Sequence, residues 1–290
     1  MKNIRKAVFP VGGRGTRFLP ATKSVPKEML SVAAKPLIQY AYEEALEAGI
    51  EEFIFITGRN KNAINNHFNH AYELQSFLSK KEQFDTLAKV KSWLPKAGNI
   101  VFIPQQEPFG LGHAVWCARN VIGNEPFAVI LADEMVLDET PALKQMLGSY
   151  KKVKSNIIAV AEVARNQVQN YGIIAKEQDI SANLSKIKTM VEKPDPSEAP
   201  SNLSITGRYI LQPEIFDYLE KVIKNHDGKG EIQLTDAMAF MAKKHDFYAH
   251  KLKGQRFDCG VRSGFLEANI AYEMLEMGEK AVKDILRKYI

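Results

Sequence analysis

Residues 6–17 read Lys6-Ala7-Val8-Phe9-Pro10-Val11-Gly12-Gly13-Arg14-Gly15-Thr16-Arg17, an apolar stretch followed by three glycines within four positions. The apolar stretch predicts a short buried strand. The glycines let the backbone turn sharply after it and present N–H groups to a ligand. Arg17 and, ten residues further on, Lys27 bring cations to the same loop. The pattern favours a polyphosphate cradle, although a strand-to-helix turn that needs glycine only for its backbone angles would have the same sequence.

Apolar strand-like segments and helical patterns alternate four times over the first ~130 residues. The predicted order after the loop is a helix at 36–49, a strand at 53–57, one or two helices in 60–92, a strand at 100–103, a helix at 112–121 and a strand at 127–132. This alternation predicts an α/β fold with a doubly wound, mostly parallel, Rossmann-like sheet. Ligands of such sheets bind beyond the carboxyl ends of the strands, where the glycine loop, Gln105 and Asp133 all fall.

The second half of the chain is less regular. Strands are predicted at 156–163, 171–175, 187–192, 205–211 and 247–252, and helices at 213–224, 231–244 and 264–277. No stretch has the composition of a flexible interdomain linker, so the sequence predicts one domain with two lobes.

Composition limits the classes of function. The chain has 39 basic and 34 acidic residues, a net charge of +5, without a Lys/Arg block. This balance suits a small anionic substrate at least as well as nucleic acid, and we expect no nucleic-acid partner. The 2 cysteines form no disulfide framework, and no apolar run is long enough for a signal peptide or a membrane span. We therefore expect a cytoplasmic protein without a membrane partner.

The two common phosphate-binding loops do not fit. The Walker A pattern G-x-x-x-x-G-K-[ST] does not occur in the chain. A dinucleotide fingerprint needs a third glycine where Phe18 stands, and an acidic residue after the second strand, which instead ends in Thr57-Gly58-Arg59. A dinucleotide oxidoreductase stays open as an alternative but is disfavoured.

Gly13-Arg14-Gly15-Thr16-Arg17 with Pro26-Lys27 resembles the G-x-G-T-R…P-K signature of sugar-nucleotide nucleotidyltransferases. The longer string from Arg17 to Leu30 is similar to the bacterial UTP–glucose-1-phosphate uridylyltransferases in particular. The resemblance implies transfer of UMP from UTP to α-D-glucose 1-phosphate, with Mg²⁺, in a homodimer or homotetramer. It also implies one nucleotidyltransferase-type domain, residues 1–290, with a smaller sugar-binding lobe. The nucleotide-binding half lies at about 1–134, and the sugar-binding and assembly half at about 135–290. Alternatives are another sugar 1-phosphate, dTTP in place of UTP, and a non-catalytic sugar-nucleotide sensor.

Gln105 begins the string Gln105-Gln106-Glu107-Pro108-Phe109-Gly110-Leu111-Gly112-His113-Ala114. An amide can donate one hydrogen bond and accept another, which complements the N3–H and O4 edge of uracil or thymine, but an isolated Gln is more often a solvated surface amide. The string matches the same uridylyltransferase branch. That match implies that Gln105 reads the base and that Gly110 leaves room for it. His113 is interpreted as a helix-start or packing residue.

Asp133 and Glu134 place two carboxylates at the end of a hydrophobic strand, where they could hold Mg²⁺ together with substrate phosphates or merely cap the next element. The family usually has Gly-Asp-Asp here, so Ala132 and Glu134 are departures, as are Arg14 and Ala34 elsewhere. The resemblance implies that Asp133 is the metal ligand, with Asp258 as a second one.

Val191-Glu192-Lys193-Pro194 matches the E-K-P motif of the family. Neighbours on a strand point to opposite faces, so both charged residues can enter one site only if the strand breaks there, which Pro194 favours. The resemblance assigns Glu192 and the backbone of Gly172 to the sugar, and Lys193 to the sugar phosphate. It assigns the remaining roles as follows: catalysis to Arg17, Lys27, Asp133 and Lys193, and nucleotide binding to Val11, Gly12, Gly13, Gly15, Thr16, Gln105 and Gly110. The string from Gly230 to Asp236 is assigned to helix and subunit packing.

Overall fold

A computed structural model describes residues 3–289 and has a nine-stranded sheet at its centre. The strands of the chain are β1 (Lys6–Pro10), β2 (Ser31–Val32), β3 (Lys35–Pro36), β4 (Glu52–Thr57), β5 (Ile100–Pro104), β6 (Phe127–Ile130), β7 (Glu134–Leu137), β8 (Asn156–Glu162), β9 (Gly172–Ser181), β10 (Leu184–Glu192), β11 (Leu203–Leu211), β12 (Phe247–Lys251) and β13 (Gln255–Asp258).

The α-helices are α1 (Leu37–Glu47), α2 (Asn62–Phe68), α3 (Tyr72–Lys80), α4 (Phe84–Lys91), α5 (Leu111–Cys117), α6 (Arg119–Ile122), α7 (Ala142–Val153), α8 (Ile215–Lys224), α9 (Leu234–Met241), α10 (Arg262–Glu276) and α11 (Glu279–Leu286). Short 3₁₀ helices lie at Thr16–Phe18, Ala21–Lys23, Lys27–Met29 and Arg165–Asn170. No helix within residues 3–289 is long and apolar enough to cross a bilayer.

The central sheet has the order β5-β4-β1-β6-β11-β8-β12-β10-β9. The first four strands of this order are mutually parallel and form a Rossmann-like half in which the winding reverses between β1 and β6. The predicted α/β class is therefore confirmed. The parallel arrangement, however, belongs mainly to the first half. In the second half β11 pairs antiparallel with both β6 and β8, and β10 pairs antiparallel with β9 and β12.

Helices cover both faces of the sheet, which explains why its central strands are apolar at consecutive positions. On β1, Val8 faces the layer of α5, α8 and α9, whereas Ala7 and Phe9 face the layer of α1 and α7. Both apolar cores contain strand residues from each half of the chain: Ile54 packs in one core with Ile158, and Phe55 in the other with Ile157.

Several elements differ from the sequence prediction. Residues 60–92 form three helices rather than one or two, and α7 and α11 were not predicted. The most consequential omission is the small two-stranded sheet of β7 and β13, in which Glu134 pairs with Asp258. Its two strands are four residues each and lie over a hundred residues apart in sequence, so no local pattern indicates that they meet.

Candidate active site

The glycine loop after β1 is held in one shape by residues that follow it. Gly15 has a φ of 65°, a left-handed conformation that favours glycine, and a Cβ at this position would lie 3.0 Å from Cβ of Lys27. Thr22 Oγ1 donates a hydrogen bond of 2.7 Å to the Gly15 carbonyl. These contacts bring Lys27 against the loop. The sequence predicts this placement, because it assigns the cations of Arg17 and Lys27 to the same loop.

A buried ion pair, which the sequence analysis missed, fixes the other side of the loop. Lys61 Nζ donates to Glu28 Oε2 and to the Gly13 carbonyl, each at 2.7 Å, and less than a tenth of either charged residue is exposed. Burial raises the pKa of Glu28, and this effect outweighs the positive charge of Lys61, which lowers it. Lys61 therefore links the glycine loop to the buried carboxylate of Glu28.

A cavity of about 560 Å³ opens over this loop. It is lined by most of the predicted nucleotide-binding residues: Gly12, Gly13, Gly15, Thr16, Gln105 and Gly110. Val11 is not among them, because its side chain is fully buried in the core and its N–H donates to the Ile56 carbonyl at 2.9 Å. Arg14, a departure from the family pattern, also lines this cavity and adds a positive charge to it. We name it the nucleotide cavity.

Gln105 is buried, and the orientation of its amide is determined by its neighbours. Nε2 donates to the Gly110 carbonyl at 3.2 Å and lies 3.0 Å from Nδ1 of His113. Burial lowers the pKa of His113, which favours the neutral ring that can accept this bond. Both amide hydrogens are therefore engaged within the protein. No donor among the described residues engages Oε1, which is therefore available to accept from a base, whereas the sequence predicts that the amide both donates and accepts.

Glycine is required at position 110 for a structural reason that differs from the predicted one. A Cβ at this residue would lie 2.8 Å from Cβ of Glu231 and 2.9 Å from the Ile232 carbonyl, so glycine is needed for packing against the 231–232 segment. That segment is tied to the Gln105 loop by two backbone hydrogen bonds, from Ile232 to Phe109 at 2.7 Å and from Gly112 to Ile232 at 2.8 Å.

Lys27 and Asp133 form a partly buried ion pair, with Nζ 2.5 Å from Oδ2. Burial alone would lower the pKa of Lys27, but attraction to Asp133 outweighs it and raises the pKa to about 12. Burial would raise the pKa of Asp133, and the ammonium of Lys27 outweighs that effect and lowers it. Both groups are therefore charged at neutral pH.

Asp258 lies next to Asp133. The Cys259 N–H donates to the Asp133 carbonyl at 2.7 Å, and a Cβ on Gly260 would lie 2.9 Å from Oδ1 of Asp258 and 3.2 Å from Oδ2 of Asp133. Arg17 reaches the same point, with Nη1 3.5 Å from the Gly260 carbonyl. The β7–β13 sheet thus brings both predicted metal carboxylates together.

These two carboxylates fit a Mg²⁺ site whose remaining ligands come from the substrate. No group of three or more His, Cys, Asp or Glu residues that could hold a metal occurs in the described part of the chain. Mg²⁺ is usually bound by one or two carboxylates together with substrate phosphates rather than by an all-protein cage. The adjacent Asp133 and Asp258 supply such a partial set of ligands.

A second cavity, of about 490 Å³, is lined by Gly172, Glu192 and Lys193. We name it the sugar cavity. Strand β10 ends at Glu192, and Lys193 has a left-handed φ of 45°, so the predicted break in the strand brings both charged residues to one cavity. A Cβ on Gly172 would lie 2.9 Å from Ile205 and 3.1 Å from Glu192, so this glycine allows the close approach.

Three further residues line the sugar cavity: Glu231, Gln233 and Thr235. The sequence analysis assigns them to packing. Thr235 is buried beside Gly172, and the Gln233 amide donates to Glu231 at 3.3 Å. A positional signal was available, since a run of Glu, Gln and Thr just before a helix is rich in groups that hydrogen-bond sugar hydroxyls.

The two cavities meet. Both are lined by Lys27, Leu111, Leu131, Asp133 and Glu231. The strand end that carries Asp133 is braced by Arg208, whose Nη1 donates to the Leu131 carbonyl at 2.7 Å while its other nitrogens bind Glu44 at 2.9 Å. Ligands that occupy both cavities would therefore have their phosphates next to Lys27 and Asp133.

The family model for nucleotidyl transferase matches residues 6–274, nearly the whole chain. The chain belongs to the nucleotidyl transferase family. Enzymes of this family generally use a divalent metal ion.

This nucleotidyl transferase is similar over its full length to named proteins. It is 47% identical over 277 residues to UTP–glucose-1-phosphate uridylyltransferase from Bacillus subtilis (strain 168), covering 94% of this chain and 92% of that protein. A solved structure of UTP-bound UGPase from Acinetobacter baumannii superimposes with a TM-score of 0.88 at 39% identity, over 98% of this chain and 99% of the other. UDP-glucose pyrophosphorylase complexed with UDP-glucose superimposes with a TM-score of 0.81 at 43% identity, over 93% and 98%.

Proposed function

We propose that the protein transfers UMP from UTP to α-D-glucose 1-phosphate and releases UDP-glucose and pyrophosphate. The observation that carries the proposal is the junction of two cavities at Lys27 and Asp133. One cavity presents a glycine loop suited to phosphates, and the other presents polar side chains suited to sugar hydroxyls. The names and ligands of the similar proteins support the choice of substrates.

In this reaction an oxygen of the sugar phosphate attacks the α-phosphorus of UTP in line. A bond forms between the sugar-phosphate oxygen and the α-phosphorus. The bond from the α-phosphorus to the oxygen that bridges the α- and β-phosphates breaks, and pyrophosphate leaves with this bridging oxygen. Because the nucleophile is already an anion, no side-chain nucleophile is needed. The protein contributes positioning and electrostatic stabilisation.

The residues divide the work between the two cavities. Lys27, at the junction of the two cavities, and Arg17, which lines the sugar cavity, would neutralise the β- and γ-phosphates as pyrophosphate leaves. Lys193 would hold the attacking phosphate, while Glu192 and the backbone of Gly172 would orient the sugar ring. The free Oε1 of Gln105 suits the N3–H that uracil and thymine share, so the amide alone does not distinguish UTP from dTTP.

Asp133, with Asp258 beside it, would hold Mg²⁺ against the phosphates. When bound, the metal ion neutralises charge on the phosphates during transfer. In the structure Lys27 engages one oxygen of Asp133, so the lysine ammonium keeps the carboxylate ionised and oriented before substrate arrives.

The test is pyrophosphate release with UTP or dTTP across a panel of sugar 1-phosphates, with UDP-glucose identified by chromatography. We expect the highest kcat/KM for UTP with glucose 1-phosphate. A higher value for another pair would reassign the substrate. Nucleotide binding without pyrophosphate release from any pair would instead identify a non-catalytic sensor.

We also propose one cooperative domain that assembles as a homodimer or homotetramer in the cytoplasm. Helices α10 and α11 and the link between them expose the apolar side chains of Leu266, Leu275, Met277 and Ile285, which are suited to contact with a second copy of the chain. The two cysteines are unpaired, which fits a reducing compartment. Light scattering of the purified protein would measure the assembly, and a monomer at micromolar concentration would contradict it.

A further inference from the structure

Arg256 lies beside the candidate metal carboxylates and has no role in the proposed function. It belongs to β13, two residues before Asp258. Its Nε and Nη2 donate to the two oxygens of Glu134, each at 2.7 Å, and both side chains are largely buried. This two-pronged geometry fixes the guanidinium plane more firmly than a single contact would.

The guanidinium packs on Tyr171, its central carbon 4.7 Å from the ring centroid. An arginine over an aromatic face is attracted to the ring as well as packed against it. Because Glu134 holds the guanidinium from one side, Arg256 forms a fixed surface on which the Tyr171 ring rests.

Tyr171 reaches both parts of the site. Its hydroxyl donates to Oδ2 of Asp258 at 2.9 Å, and its carbonyl accepts from the Lys193 N–H at 3.0 Å. Lys193 is in a left-handed conformation that a non-glycine residue keeps only when its surroundings hold it. The Tyr171 carbonyl provides part of that support.

We propose that Arg256 is a positioning residue which, paired with Glu134, holds Tyr171 and thereby sets the positions of both Asp258 and Lys193. The proposal rests on the proposed function, since it assigns Asp258 to Mg²⁺ and Lys193 to the sugar phosphate. It also gives Glu134 a role: the carboxylate faces Arg256, and the additional methylene relative to the Asp of the family pattern extends its reach across the β7–β13 pair.

The experiment tests the positioning of Asp258 and the positioning of Lys193 separately, by binding measurements that need no turnover. Mn²⁺ affinity would be measured by water-proton relaxation in the presence of UTP, and glucose 1-phosphate and metal-free UTP affinities by calorimetry. Tyr171→Phe removes only the hydroxyl. We expect Mn²⁺ binding to weaken about tenfold while glucose 1-phosphate binding stays within twofold of wild type.

Arg256→Lys keeps the charge but loses the fork and the planar stack. We expect it to weaken Mn²⁺ and glucose 1-phosphate binding each by about tenfold and to leave metal-free UTP binding within twofold. The double variant Glu134→Gln/Arg256→Met removes both charges, so no unpaired carboxylate stays buried, and it should behave in the same way. Arg287→Met is the matched control, because Arg287 pairs with Asp284 at 2.9 Å on the exposed surface.

Two results would overturn the proposal. One is unchanged Mn²⁺ and glucose 1-phosphate affinity in both Arg256 variants. The other is an equal loss of metal-free UTP affinity, which would indicate a general structural role. If the wild-type protein binds Mn²⁺ and UTP but forms no UDP-glucose, the proposed function fails while the Mn²⁺ measurements still test the positioning of Asp258.

Discussion

The nucleotide cavity and the sugar cavity are similar in size but are built in different ways. The phosphate side of the first is shaped by the backbone of one continuous loop, whose glycines leave room for phosphates and whose position is fixed by Lys61 and Thr22; Gln105 and Gly110 line its other side. The second is lined by side chains from separate elements: the starts of β9 and α9, the end of β10, the middle of β11 and the end of β13. The glycine loop of the first is therefore a local property of the sequence, whereas the second exists only after distant strands have paired.

The electrostatics of the two cavities differ as well. In the nucleotide cavity Arg14 and Lys27 are matched by Asp133 and Glu231, whereas in the sugar cavity acidic residues such as Glu192 and Asp258 outnumber the basic residues Arg17, Lys27 and Lys193. Cations suit a polyphosphate, and a mixture of charges suits a neutral polyol that carries one phosphate. Asp133 lines both cavities. Variants can therefore affect the junction, the sugar cavity or the nucleotide cavity separately.

The largest effect is expected at the junction. Asp133→Asn should reduce pyrophosphate release by roughly a thousandfold or more, because the metal carboxylate is lost and Lys27 loses its partner. Raising Mg²⁺ should not restore activity. Glu134→Gln, which alters the neighbouring carboxylate that faces Arg256, should cost on the order of tenfold or less. Both variants are assayed over a Mg²⁺ titration with folding checked by circular dichroism. The reverse ranking would mean that Glu134, not Asp133, is the ligand.

The next largest effect is confined to the sugar cavity. Lys193→Ala should lower kcat/KM for glucose 1-phosphate by roughly tenfold to a hundredfold or more, since a charged contact to a phosphate contributes about 1.5–3 kcal/mol. UTP affinity measured by calorimetry should stay near the wild-type value. Equal weakening of both ligands would mean that Lys193 does not serve the sugar side.

A complementary effect is expected in the nucleotide cavity. In Gln105→Glu, a carboxylate oxygen replaces the NH₂ that donates to the Gly110 carbonyl, so two oxygens oppose each other at a buried site. Such mispairing typically costs about 1–3 kcal/mol and is relieved when the side chain turns away from the position in which its other oxygen accepts from the base, so UTP affinity should fall roughly tenfold to a hundredfold. The affinity for glucose 1-phosphate is the internal control and should not change. Wild-type affinity for UTP would show that Gln105 does not contact the base.

The unequal predictability of the two cavities follows from how each is built. Three candidates, the glycine loop, Gln105 and Asp133, follow strand ends of a regular α/β pattern, so sequence alone predicts that they lie at one edge. The E-K-P strand break was also predictable, because Pro194 cannot continue a paired strand. In these cases the relevant geometry is determined within a few residues.

What the sequence did not indicate depends on long-range pairing. Arg256 meets Glu134 only through the β7–β13 register, and Lys61 meets Glu28, which lies 33 positions earlier in the chain. Gly110 was correctly expected at the site, but its packing partner Glu231 comes from a segment over a hundred residues later. A charged side chain in an irregular segment carries no signal of whether it will be buried with a partner or left in solvent.

The smallest effect concerns stability and tests whether the two halves unfold together. His250 on β12 is buried, with Nδ1 2.9 Å from Oγ of Ser149 and Nε2 without a partner among the described residues. Burial, together with the charge of Lys152, lowers its pKa to about 4, so the ring stays neutral in the folded protein. The unfolded chain, with a His pKa of about 6.5, takes up a proton first as the pH falls. Stability is therefore lost as the pH drops from about 6.5 towards 4.

At pH 5 this loss amounts to about 2 kcal/mol relative to pH 7.5. His250→Gln should remove that increment, so the difference between denaturant unfolding free energies at the two pH values should shrink by about 2 kcal/mol. His67→Gln is the matched variant in the first half, because burial lowers the pKa of His67 in the same direction. If the chain is one domain, both variants act on a single transition, since the apolar cores on both faces contain strands from both halves. Two transitions, each sensitive to one histidine, would mean that the two cavities belong to separately folding units.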